Sequence, residues 1–206
     1  MMYKMALIIL GLTFATTSEN HFWIKLLIIT SLLYIMVSNK KDTNVFHLCL
    51  GFLFVKVIDT FIFASISIDS LDTLGYVWSN AIIFSIHLII DSVSFVFVLF
   101  RPSISRTILL SKNKSIDDIY MYQSEIAFLT LFLVYIAVDL LAIIENFIRH
   151  LEVFGFNLEI SEKFSKWGWM YHQYGEIKGT LTVLSFLCMW SMVSKFGKEE
   201  YAPTIP

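Results

Sequence analysis

The chain has 206 residues, of which 57% are hydrophobic and only 16% charged, with a mean hydropathy of +0.71 and a net charge of −2. Soluble domains carry about 25% charged residues, so this supply is too small to cover a water-exposed surface. The near-neutral balance gives no reason for a nucleic-acid partner. Phe contributes 19 residues, while 3 Pro and 8 Gly leave little linker material, so one transmembrane domain is expected over residues 1–206. Cys49 and Cys188 sit alone in apolar runs, with no CxxC and no disulfide framework.

A bilayer core takes about 20 apolar residues as helix. Taken in chain order, the predicted spans are residues 5–17, 22–38, 45–68, 76–100, 126–148 and 180–196. The first is short. Lys4, the run from Met5 to Phe14 and then Ala15 also fit the three regions of a cleaved signal peptide, which would leave five spans. Either way, the segment from Ser18 to His21 lies outside. The expected fold class is thus an all-α integral membrane bundle of six helices.

Charge orients the bundle. Lys4, Lys40, Lys41, Arg101, Arg106, Lys112, Lys114, Lys195 and Lys198 are nine of the 15 basic residues, and all fall at alternate ends of the spans. The positive-inside rule then puts both termini in the cytoplasm, as in a bacterial inner-membrane protein. The stretch 101–125 reads as an inner loop lying on lipid headgroups. The stretch 150–178 reads as an outer loop with an interfacial helix, because Phe154, Phe156, Phe164, Trp167, Trp169, Tyr171 and Tyr174 alternate there with charges. Glu145 and Arg149 at i and i+4 read as a surface ion pair.

Ionisable side chains inside hydrocarbon are costly, so each one needs a reason. Lys56, Asp59, His87, Asp91 and Asp139 all lie within roughly 5 Å of the middle of their spans at 1.5 Å per residue. Helical spacing places Asn80, His87, Asp91 and Ser94 on one stripe, Lys56, Asp59 and Thr60 on a second, and Tyr135, Asp139 and Asn146 on a third. Three polar stripes at one depth are expected to pack together. Lys56 and Asp59 could form an ion pair within their helix, and His87 and Asp91 could hydrogen-bond to each other. Asp139 has no basic residue on its own helix before Arg149, so its partner must come from another span.

With one Lys against three Asp, two carboxylates would be left over, and two carboxylates at low dielectric do not both ionise. A proton, a charged His87 or a small cation would restore the balance. That pattern suits proton- or cation-coupled transport or conduction, with Asn80, Tyr135 and Asn146 as supporting polar groups. The competing reading is an accessory membrane subunit whose stripes glue helices together or recognise a membrane partner or a second copy of the chain. An enzyme is the weaker expectation. No HExxH or GxSxG occurs, the five histidines sit at different depths, and no cofactor or metal is called for.

Overall fold

A computed structural model describes residues 21–66 and 74–192, with side chains from residue 26 onward. The predicted span 5–17, its alternative as a signal peptide, most of the turn after the third span, and Lys195 and Lys198 lie outside the described residues. The described chain is all-helical: α1 His21–Ser38, α2 Thr43–Ser65, α3 Tyr76–Ser111, α4 Gln123–Arg149, a 3-10 turn Leu151–Phe154, α5 Leu158–Ser165 and α6 Trp169–Ser191. Three of these helices, α2, α3 and α4, are long and apolar enough to cross a membrane.

The surface composition agrees with that reading. Phe54 and Phe61 on α2, Ile89, Val93 and Phe100 on α3, and Leu133, Leu141 and Ile144 on α4 all point outward, Phe61 with 72% of its surface exposed. In water such a belt would be an aggregation surface; against lipid it costs nothing.

α4 lies at the centre and packs on α3, α5 and α6, while α3 also packs on α2, and α2 on α1. Phe52 of α2 joins three helices, its ring centroid lying 5.2 Å from Phe128, 5.8 Å from Phe132 and 6.1 Å from Phe97. Gly51, one residue earlier, permits that approach, since a Cβ there would overlap the Phe97 ring. The far end of α6 returns to the first helices: Trp190 stacks on Tyr34 at 6.4 Å, and the Cys49 thiol donates to Met189 Sδ at 3.7 Å.

Two helices run beyond the spans predicted for them. α3 does not end at Phe100 but runs eleven residues further, through Pro102, to Ser111. Arg101 is the reason it can. Its guanidinium is fully buried and paired with the fully buried Glu125, and it also donates to Asn44 Oδ1 at 2.5 Å and to the Tyr120 carbonyl at 2.6 Å. Glu125 in turn accepts the Tyr122 backbone N–H at 3.0 Å, tying off the start of α4. Arg106 donates to the Ile119 carbonyl at 2.8 Å, and Asn44 to the Asp118 carbonyl at 2.8 Å. The segment expected to lie on headgroups is therefore partly folded back onto the bundle. The Tyr122 hydroxyl donates to the Asp42 carboxylate at 3.1 Å, and burial pushes that phenol up from its ordinary value, so it stays a donor.

The second is the last helix, which begins at Trp169, eleven residues before its predicted span at Thr180. Glu145 makes this early start possible. It is buried, and its carboxylate accepts the backbone N–H groups of Met170 at 2.8 Å and Tyr171 at 2.7 Å, at the positive end of α6. Glu145 is thus a cap between helices rather than half of a surface pair with Arg149, whose guanidinium lies 4.7 Å from the centre of the Tyr171 ring. Within the predicted outer segment, Gly155 takes φ +80° and ends the 3-10 turn, and the short α5 follows with Leu158 70% exposed.

Candidate functional site

Beginning α6 at Trp169 carries its polar first half into the bundle. Antiparallel to α4, it meets that helix at three polar levels. Glu145 holds Met170 and Tyr171; Asp139 Oδ1 accepts from the Tyr174 hydroxyl at 2.8 Å; and the Tyr135 hydroxyl bonds to Thr182 Oγ1 at 3.1 Å. Lys178 stands one turn beyond Tyr174, between the second level and the third.

The Lys178 ammonium is shared by two carboxylates. It lies 2.5 Å from Asp91 Oδ2 on α3 and 2.6 Å from Asp139 Oδ1 on α4. The Tyr135 ring centre is 4.8 Å away and the Tyr174 ring centre 5.6 Å, so aromatic faces complete the cation's surroundings. Lys178 and Asp91 keep 15% and 14% of their side-chain surface, whereas Asp139 keeps none. Asp139 Oδ2 is buried and has no hydrogen-bond partner among the described residues.

Of the five predicted site residues, the structure brings Asp91 and Asp139 into direct contact with one cation. Lys56 and Asp59 pair with each other along α2 at 3.6 Å, as their spacing suggests, and the Lys56 side chain is 41% exposed. His87 is not drawn onto Asp91, which Lys178 occupies. Its ring stacks on Phe63 at 4.8 Å and faces Tyr174 at 6.1 Å. It still lies within electrostatic reach of Lys178, Asp59, Asp91 and Lys56, so the candidates share one neighbourhood.

The supporting residues divide. Tyr135 lines the site, whereas Asn146 donates to the Val77 carbonyl at 2.9 Å and joins α4 to the first turn of α3. Asn80 is half-buried two helical turns from His87. Ser94, on the same stripe, bonds to the Ile90 carbonyl within α3.

Lys178 is the residue that sequence reasoning missed, because it precedes the final apolar run and was grouped with the charges of the outer segment. One signal was available. Tyr171, Tyr174, Lys178 and Thr182 recur every three or four residues and so continue the face of the last helix backward.

Recounted with Lys178, the neighbourhood holds two Lys against three Asp, and one negative charge is left on the pair formed by Asp91 and Asp139. Among the described residues, no three His, Cys, Asp or Glu side chains gather in a way that could hold a metal ion.

Fold and surface define the class: the described residues are all-helical, and three of their helices are long and apolar enough to cross a membrane. No protein-family model, no curated protein and no solved structure matches the chain, so its function has to be argued from its own chemistry.

Proposed function

We propose that this is a multi-pass membrane protein that conducts or transports a proton or small cation through the site built around Asp91, Lys178 and Asp139. Both termini would face the cytoplasm of a bacterial cell. The observation that carries the reading is the shared ammonium, with one carboxylate more than it can neutralise and a bare, buried oxygen on Asp139. A group of that kind changes its charge when an ion arrives. The Tyr174 hydroxyl donates to Asp139 and the His87 ring packs against Tyr174, so side chains of α3, α6 and α4 meet at the site.

A second reading has support of its own. Arg101 with Glu125, Glu145 with the start of α6, and Asn146 with Val77 all use buried polar groups as glue between helices. The site could be a further staple of this kind in an accessory subunit that binds a membrane partner or a second copy of the chain.

Flux in proteoliposomes separates the two. Under transport, native protein acidifies or alkalinises a dye-loaded interior, and Asp139→Asn removes that signal at equal reconstitution. Folded native protein without flux of protons or alkali cations would overturn the proposal and leave the accessory role.

A further inference from the structure

We infer that the ion taken up at this site is a proton, that its seat is Oδ2 of Asp139, and that Lys178 is a resident counter-cation rather than a ligand. This deepens the transport reading and rests on it for its purpose, although the proton seat can be tested without any flux.

The two oxygens of Asp139 are used unequally. Oδ1 receives both available donors, the Tyr174 hydroxyl at 2.8 Å and the Lys178 ammonium at 2.6 Å. Oδ2 receives none and is buried. An ionised carboxylate spreads its charge over both oxygens, and leaving one of them bare in a dry interior is expensive. A carboxylic acid divides its roles instead: the carbonyl oxygen accepts, and the other oxygen carries hydrogen. The acid form, with its carbonyl at Oδ1 and its hydroxyl at Oδ2, is the less costly of the two, because an unpaired neutral hydroxyl is cheaper to bury than an unpaired charged oxygen.

Asp91 is the less suitable seat. Its Oδ2 is already taken by Lys178 at 2.5 Å, and it keeps 14% of its side-chain surface, whereas Asp139 keeps none. With a proton on Asp139 and Lys178 paired to Asp91, the cluster is neutral.

The same geometry disfavours a metal cation. The ammonium occupies the space between the two carboxylates, and the rings of Tyr135 and Tyr174 are among its other neighbours. A bound alkali ion would need several oxygens around it and would have to displace Lys178 into an apolar interior.

Among the described residues, the titratable and charged groups facing Asp139 each have a place in this scheme. α6 supplies Lys178 and Tyr174, α3 supplies Asp91 with His87 behind it, and α4 supplies Tyr135. Lys56 and Asp59 on α2 balance each other. Uptake adds one proton to Oδ2 and takes the cluster from one negative charge to none; release reverses this with no other bond broken.

The test is infrared spectroscopy of the protein in lipid vesicles at neutral pH, read in the protonated-carboxyl C=O region and repeated in D2O and with sodium added. The native protein should give a band that shifts in D2O, ignores sodium, moves in Asp139→Glu and stays in place in Asp91→Glu, since both variants keep two carboxyl groups around one ammonium. Asp139→Asn and Asp91→Asn should each abolish the band, because the single carboxylate left ionises against Lys178. A native protein without such a band, a band that moves only in Asp91→Glu, or a band removed by sodium would each overturn the inference. A band that behaves as expected in protein without proton flux would keep the proton seat and refute transport.

Discussion

Replacing Lys178 by methionine removes the ammonium that Asp91 and Asp139 share, while keeping a stem of similar length. The two oxygens that held it are no more than about 5 Å apart, since each lies within 2.6 Å of the same nitrogen. At an effective dielectric of about 20, two ionised carboxylates at that distance would repel by roughly 3 kcal/mol, which holds the proton on Asp139 and leaves Asp91 as the stranded charge. Measured losses for one partner of a buried pair run at about 3–5 kcal/mol. Lys178→Met should therefore lose about 3 kcal/mol near neutral pH and less in acid, where protons neutralise the carboxylates.

Asp139→Asn should behave quite differently. The amide is close to the acid in shape, keeps an acceptor for Tyr174 and leaves the pair of Lys178 with Asp91 intact, so it should lose less than about 1 kcal/mol. Adding Asp91→Asn to Lys178→Met should restore most of the loss, because a single remaining carboxylate can take up a proton. Reversible unfolding in mixed micelles, followed by tryptophan fluorescence, gives all four values. If Asp139→Asn proved as damaging as Lys178→Met, both carboxylates would be ionised in the native protein and Asp139 would carry no proton.

Arg101→Met should cost about 3–5 kcal/mol by stranding Glu125, and Arg101→Met with Glu125→Leu should recover most of it; the same unfolding measurement checks both, and a single-variant loss under about 1 kcal/mol would mean that Arg101 is hydrated. Glu145→Ala leaves two N–H groups without acceptors at about 1.5–3 kcal/mol each before water replaces it, so hydrogen exchange at Met170 and Tyr171 should quicken while Glu145→Gln slows it again. Gly51→Ala should force the Phe97 ring aside and cost about 1–3 kcal/mol in the unfolding assay, with Gly51→Ala and Phe97→Leu together regaining part of the loss.

The sequence was most informative where a physical rule acts on a single helix. Lys56 and Asp59 pair along α2 as their spacing requires. Asp139 could be recognised as needing a partner from another span, because nothing on its own helix serves it. The identity of that partner was hidden, since hydropathy marks where a helix is greasy and not where it starts. Seven of the first ten residues of α6 are polar or aromatic, and Glu145, 25 positions before Met170, caps the helix they form. Arg101 was misread for a related reason. A basic residue at the end of an apolar run ordinarily reaches for headgroups, and only the return of Glu125, 24 residues on, makes burial the better place. His87 and Asp91 show the limit of spacing on one helix, since a lysine from another helix outcompetes the histidine one turn away.

The polar levels between α4 and α6 have a mechanical consequence. Glu145 with Met170 and Tyr171, Asp139 with Tyr174, and Tyr135 with Thr182 engage together at one alignment, like teeth of a rack. Sliding α6 by a single residue would unmesh all of them at once. Any change of access to Asp139 must therefore come from rotation of its side-chain neighbours or from the two helices tilting as one beam, never from a screw motion of one helix along the other.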